Sequence, residues 1–260
     1  MLKEPGRAAE TESYMWLYRT GCVGPPIVLF EYQPTREGEH PRKFLASFKG
    51  YLHVDGYVGY HDIPNVTLSG CWAHLRRKFD EALKGLPPKQ RASGGTKSRE
   101  ALDQINRLFA IERELKQISP EARVKARDLR SRPVVEGFRR WLNDMKPMVL
   151  PKSLLGGAVK YGQNQWQKLV RFLEDGRIEI SNNRAERSIK PFVIGRKNWL
   201  FANTPRGAQA SAIIYSIVET AKENSLNPYA YLTYLFEKLP NLDSRGNDAL
   251  DPLLPWNVNL

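Results

Sequence analysis

Two carboxylates mark where this chain could do chemistry. Glu186 sits in Ser181-Asn182-Asn183-Arg184-Ala185-Glu186-Arg187-Ser188-Ile189-Lys190-Pro191, an acidic side chain among amides and cations. Asp55 closes the run Tyr51-Leu52-His53-Val54 and is followed by Gly56. That run reads as a strand, and the C-terminal ends of strands are where open α/β sheets usually place functional groups. Carboxylates suit Mg²⁺ or Mn²⁺, hard cations that prefer oxygen ligands. Two such cations can activate an attacking oxygen and stabilise a leaving one. Asp55 and Glu186 are therefore the candidate catalytic and metal-binding residues. The spacing of Asn183 and Glu186 is equally that of a capping box, which satisfies free backbone N–H groups at a helix start.

The neighbours carry paired readings of the same kind. Cys71 and His74 have ligand-like spacing, but no second pair completes a zinc site. His74 opens the helix after a strand, where it could contact phosphate or steer a proton, or serve as a buried structural histidine. Asn182 and Asn183 could orient Glu186 or a DNA backbone, or cap a helix. Arg184, Arg187, Lys190, Arg196 and Lys197 form one basic cluster and Arg76, Arg77 and Lys78 another; each reads as a set of phosphate contacts or as a solvated face. The balance of 40 Lys+Arg against 28 Asp+Glu, a net charge of +12, favours a polyanionic partner.

The elements that must position these residues follow from local pattern. Tyr14–Arg19 and Ile27–Tyr32, separated by Gly24-Pro25-Pro26, read as antiparallel strands. Pro41 to Phe48 reads as a short helix, Tyr51–Val54 as a third strand and Val66–Trp72 as a fourth that runs into a basic helix, Ala73–Leu83. Residues 85 to 96 are rich in Pro, Gly and Lys and read as a linker. Beyond it, Ser98 is expected to cap a long helix ended by Pro120. A second helical stretch from Glu121 is interrupted at Pro133, and a third carries Trp166, Leu169, Val170 and Leu173. Arg177–Ile180 reads as a short strand or extended chain leading into a helix from Ser181. Gly207–Asn224 is helical, Asn227-Pro228 starts another helix, and the tail is turn-rich. Trp199 and Phe201 read as core. The expected division is 1–84 and 177–224 as one interrupted α/β core, 85–176 as an all-helical insertion, and 225–260 as a C-terminal helix and tail.

A strand-ending Asp, a basic helix, a helical insertion and a helix-borne Glu together give the layout of ribonuclease H-like nucleotidyl transferases: an α/β fold with a mixed sheet flanked by helices. Leu52-His53-Val54-Asp55-Gly56-Tyr57-Val58-Gly59-Tyr60, Cys71-Trp72-Ala73-His74-Leu75-Arg76-Arg77-Lys78-Phe79, Ser181–Arg187 and Leu253-Leu254-Pro255-Trp256-Asn257 resemble, in order, the insertion-sequence-66 family of bacterial transposases. The resemblance covers nearly the whole chain. It implies an Asp-Asp-Glu catalytic set on a ribonuclease H-like core, with Asp55 matching the second Asp and Glu186 the Glu. It also implies a two-metal site for Mg²⁺ or Mn²⁺, and double-stranded DNA as partner, beside self-association or other transposition proteins. The first Asp of that set has no counterpart, since no Asp precedes Asp55. Glu4, Glu10 and Glu12 lie beyond the expected strand position. The expectation is a C-terminal portion of a transposase, weak in metal binding and inactive alone; the alternative is a non-catalytic DNA-binding or transposase-interacting module.

Composition narrows the setting. With 41% hydrophobic and 26% charged residues, the chain reads as globular rather than disordered. No apolar run approaches the roughly 20 residues that span a bilayer, and the N-terminus lacks the apolar core of a signal peptide. Two cysteines, Cys22 and Cys71, suit a reducing compartment. A cytoplasmic protein is expected.

Overall fold

The computed structural model describes residues 6–8, 11–92, 94–198, 202–242 and 246–260, without the side chains of 196–198 and 247. In chain order the elements are β1 (Tyr14–Arg19), β2 (Val28–Gln33), α1 (Glu39–Phe44), β3 (Gly50–Val54), β4 (Val66–Gly70), α2 (Trp72–Lys84), α3 (Pro88–Ala92), α4 (Lys97–Glu114), α5 (Pro120–Arg130), α6 (Arg132–Met145), α7 (Leu154–Asn164), α8 (Trp166–Leu169), α9 (Asn183–Asn198), α10 (Pro205–Glu223), α11 (Pro228–Lys238) and α12 (Asn247–Leu250). Short 3₁₀ turns link several of them. The class is mixed α/β, as the sequence suggests. Among the described residues the strands form two separate pairs, β1 antiparallel to β2 and β3 parallel to β4. The chain divides into two compact units, residues 1–40 with 184–260, and residues 41–183.

The first unit is a hairpin covered by a helix. Val28 and Phe30 of β2 are buried while Leu29 between them is exposed, the two-residue alternation of a half-covered strand. Beyond its pairing with β1, the outer edge of β2 has no further strand partner among the described residues. Hydroxyls of α10 meet it instead: Val28 N–H donates to Thr220 Oγ1 at 3.0 Å, Thr220 Oγ1 donates to Val28 O at 3.0 Å, and Phe30 N–H donates to Ser216 Oγ at 2.8 Å. The match is geometric. Four helical residues rise about 6 Å and two strand residues about 6.6 Å, so hydroxyls four apart reach amides two apart. Phe30, Phe192 and Tyr215 close a small aromatic cluster beneath. At the C-terminal end, Tyr231, Leu235 and Leu253 are buried together.

In the second unit, α2 and the helices after it share one core. Trp72, Leu75 and Phe79 pack with Ile105, Leu108, Phe138, Leu142 and Phe172. Phe138 stacks on Trp141 with ring centroids 5.6 Å apart, and Trp72 lies 5.7 Å from Phe138. Across this core Arg127 is fully enclosed, paired with Glu112 and with the carbonyls of Phe172, Asp175 and Ile178.

Several boundaries differ from the expected ones for identifiable reasons. Helix α4 starts earlier, because Thr96 rather than Ser98 accepts the N-terminal amide of Arg99; Ser98 is buried inside the first turn. The interruption expected at Pro133 is found: α5 ends at Arg130 and α6 starts at Arg132, with Pro133 in its first turn, where a missing N–H costs nothing. Helix α7 has no counterpart in the sequence reading, since Gly156, Gly157 and Gly162 mask its signal; Gly156 is required where a Cβ would strike the Leu150 carbonyl. Residues 177–180 make no strand; Trp72 N–H bonds Ile180 O at 3.1 Å instead. Trp199, Phe201, Glu4 and Glu10 lie outside the described residues.

Candidate functional site

In the second unit the candidate residues gather at the C-terminal ends of β3 and β4 and the N-terminus of α2. Asp55 directly follows β3 and is half-buried. Its Oδ1 accepts the Tyr57 N–H at 3.0 Å, the local turn that Asp side chains favour. Its backbone carbonyl accepts the Tyr161 hydroxyl at 3.1 Å. Gly56 takes φ +97°, and a Cβ there would lie 3.2 Å from the Tyr161 hydroxyl. The Asp55-Gly56 turn is thus held against α7 at a position where only glycine fits comfortably. Burial first, then the nearby Cys71 and Asp55, push the Tyr161 hydroxyl up to about 12. It therefore remains a proton donor at neutral pH. The Lys78 ammonium sits 5.0 Å from the Tyr161 ring centroid.

His53, two residues before Asp55, places Nε2 3.0 Å from Gly70 O. Burial, with His74 adding a smaller push and the Gly70 contact opposing, lowers its pKa to about 4. The ring is neutral at pH 7 and donates through Nε2. His74 lies in the first turn of α2 and is half-buried. Cys71 is buried and accepts the Asn182 N–H at 3.5 Å, so Asn182 lies beside the start of α2. Asn182 Oδ1 is sealed from solvent without a hydrogen-bond partner among the described residues. Arg76 donates to Asn106 Oδ1 at 2.8 Å and so ties α2 to α4, while Arg77 is exposed.

In the first unit, α9 begins at Asn183, so Asn183 lies within the helix and Glu186 in its first turn, where a negative charge complements the helix dipole. Glu186 and Arg184 are half-buried; Arg187 and Lys190 are exposed. Arg196 and Lys197 continue the same helix, but their side chains lie outside what is described. Sequence reasoning missed Tyr161, which sits in the unrecognised α7. It also missed Arg19, which ends β1 and contacts α9 and α10; an arginine closing an exposed-looking strand carries no local signal of burial.

The donor chemistry at Asp55 suits a hard cation, because Oδ2 has no hydrogen bond among the described residues and Oδ1 has one. It amounts to a single ligand. Among the described residues no three His, Cys, Asp or Glu side chains converge to hold a metal ion. No helix among them is long and apolar enough to cross a membrane.

A family model described as "Transposase IS66 family" matches residues 1–210, and one described as "IS66 C-terminal element" matches residues 216–256. The chain belongs to the IS66 family of transposases. It is 34% identical over 268 residues to the uncharacterized protein y4jD of Sinorhizobium fredii, covering 98% of this chain and 51% of that protein. It is 32% identical over 252 residues to the uncharacterized protein y4hP of the same organism, covering 91% of this chain and 44% of that one. The chain thus spans about half the length of the curated relatives it matches. No solved structure matches it.

Proposed function

We propose that this chain is the catalytic-core portion of a DNA transposase built on a ribonuclease H-like plan, acting on double-stranded DNA in the cytoplasm. Membership of the IS66 family carries this reading. In the whole protein, water would attack a phosphodiester at the element end, breaking the P–O3′ bond and leaving a 3′-OH. That hydroxyl would then attack a phosphodiester of the target, joining the strands and releasing a new 3′-OH. Asp55 and Glu186 are the residues assigned to hold Mg²⁺ or Mn²⁺, which would supply activation of the attacking oxygen and charge stabilisation at phosphorus. Tyr161 and Gly56 hold the Asp55 turn still. His74, Asn182 and Asn183 are assigned as neighbours that contact or orient the phosphate. Arg76, Arg77, Lys78, Arg184, Arg187, Lys190, Arg196 and Lys197 are assigned to the DNA backbone, where cations set affinity rather than sequence. With one acidic position of the family's set unmatched before Asp55, the chain alone is expected to be inactive.

One observation favours a second reading, a non-catalytic DNA-binding or transposase-interacting module: no three metal-binding side chains gather among the described residues. Calorimetric titration of Mn²⁺ into wild type, Asp55→Ala and Glu186→Gln separates the two. Weaker binding in both variants supports the metal-dependent reading. Equal weak binding in all three supports the module. Mn²⁺-dependent strand cleavage by this chain, lost in Asp55→Ala, would overturn the expectation of inactivity.

A further inference from the structure

We propose that Arg19 is a positioning residue for Glu186, a role that rests on the reading of Glu186 as a metal-binding carboxylate. The Arg19 side chain is only 5% exposed. Its Nη1 donates to Ser188 Oγ at 2.6 Å and to the Arg184 carbonyl at 3.4 Å, both on α9. Glu223 of α10 receives the guanidinium through both carboxylate oxygens, at 3.2 and 3.0 Å. Ser188 Oγ in turn donates to the Arg184 carbonyl at 3.1 Å. One side chain from the end of β1 therefore grips two points of α9 one turn apart, and α10 anchors it from behind.

Glu186 lies between the two gripped residues. At about 100° per residue it projects roughly 200° around the helix from each of them, on the opposite face. Arg19 thus fixes the rotation of α9, and with it the direction of the Glu186 carboxylate, without touching that carboxylate. The helix needs such a clamp. Pro191 stands inside α9 and offers no N–H to the Arg187 carbonyl, so the backbone is weakened one turn after Glu186. The Arg19 side chain is buried while that of Glu223 is 36% exposed; the pair is a poor source of net stability, but its bidentate geometry admits few alternatives and so fixes register.

The test uses the full chain and compares Arg19→Lys, Ser188→Ala and Glu186→Gln by Mn²⁺ titration and by amide hydrogen exchange. Lysine keeps a charge for Glu223 but lacks the two-nitrogen fork, so it cannot engage both Glu223 oxygens while also holding Ser188 and the Arg184 carbonyl. The expected result for Arg19→Lys is Mn²⁺ binding weakened about tenfold, the scale of losing a residue that orients a ligand. Amides in the first two turns of α9 should exchange faster, with β1, β2 and α10 protected as in wild type. Ser188→Ala should move both readouts the same way. If both variants match wild type in Mn²⁺ affinity and α9 exchange while Glu186→Gln weakens Mn²⁺, the proposal is overturned and the reading of Glu186 stands. Uniformly faster exchange across β1, β2 and α10 overturns it in favour of a purely structural role. If Glu186→Gln leaves Mn²⁺ binding unchanged, the reading of Glu186 fails and the positioning role fails with it.

Discussion

Replacing Arg127 with Met should cost more stability than removing any exposed charge on this molecule. The guanidinium is 0% exposed and every one of its donors is engaged. Two go to Glu112, at 2.8 and 2.5 Å, and three to the carbonyls of Phe172, Asp175 and Ile178, at 2.5, 3.0 and 2.9 Å; the group also stacks over the Phe172 ring at 5.2 Å. Methionine fills much of the volume but leaves a carboxylate only 12% exposed and three carbonyls unmet. Removing one partner of a buried ion pair costs about 3–5 kcal/mol. With a urea slope of about 2 kcal/mol/M, the midpoint should fall by about 2 M. Tryptophan fluorescence reports the transition, since Trp72 and Trp166 border the same core. Arg132→Ala is the control: its pair with Asp128 is 48% and 60% exposed and should matter by no more than about 0.5 kcal/mol. A midpoint shift for Arg127→Met below about 0.5 M would refute the claim that this arginine ties the helices to the 172–178 segment.

Gly56→Ala should destabilise by about 1–3 kcal/mol, because φ +97° strains any side chain and the new Cβ crowds Tyr161; Gly94→Ala, in open space but at φ +74°, serves as the comparison without crowding. Tyr231 donates to Leu253 O at 2.7 Å, and burial pushes its hydroxyl up to about 12 from 10. A raised folded-state pKa gives stability that is complete below pH 10 and lost as pH rises towards 12. Tyr231→Phe should therefore be about 1 kcal/mol less stable at pH 7, with the gap closing between pH 10 and 12 in alkaline denaturation curves. If DNA is the partner, Arg187→Ala or Lys190→Ala should each lower the slope of log affinity against log salt by about 1 for any duplex sequence. An unchanged slope in both would remove this face of α9 from the interface.

Local chemistry made much of the fold readable. The β1–β2 pairing, the Asn227-Pro228 start of α11 and the apolar stripe of α2 each depend on a few neighbouring residues, and each is found. Helix α7 was hidden because its glycines serve tertiary contacts that override propensity: Gly156 beside the Leu150 carbonyl and Gly162 against Leu142 and Leu75. The end of β3 could be read as a site because Asp55-Gly56 is a local strand-and-turn signal. Tyr161 and Arg19 could not, since each gains its role from a partner more than 100 positions away. Arg127 illustrates the same limit, for nothing in its own helix distinguishes it from the exposed Arg130 three residues later.

Because the hairpin and its covering helix lie far apart in the sequence, their contact must wait for the chain between them to be made. Val28 and Thr220 are 192 positions apart, so at about 5–20 residues per second the strand waits on the order of ten to forty seconds for its partner hydroxyls. Residues 41–183 form a compact unit whose whole sequence is available before then. During that interval β2 presents an unsatisfied edge, and a lone two-stranded hairpin is marginal in water. Chains arrested after α9 should accordingly be nicked by protease within residues 14–33 well before residues 97–145 are touched. Equal resistance in the two segments would show that the hairpin does not depend on α10. Earlier nicking of the hairpin gives Thr220 and Ser216 a timing role as well as a packing one, as the hydroxyls that end the exposure of an otherwise adhesive strand.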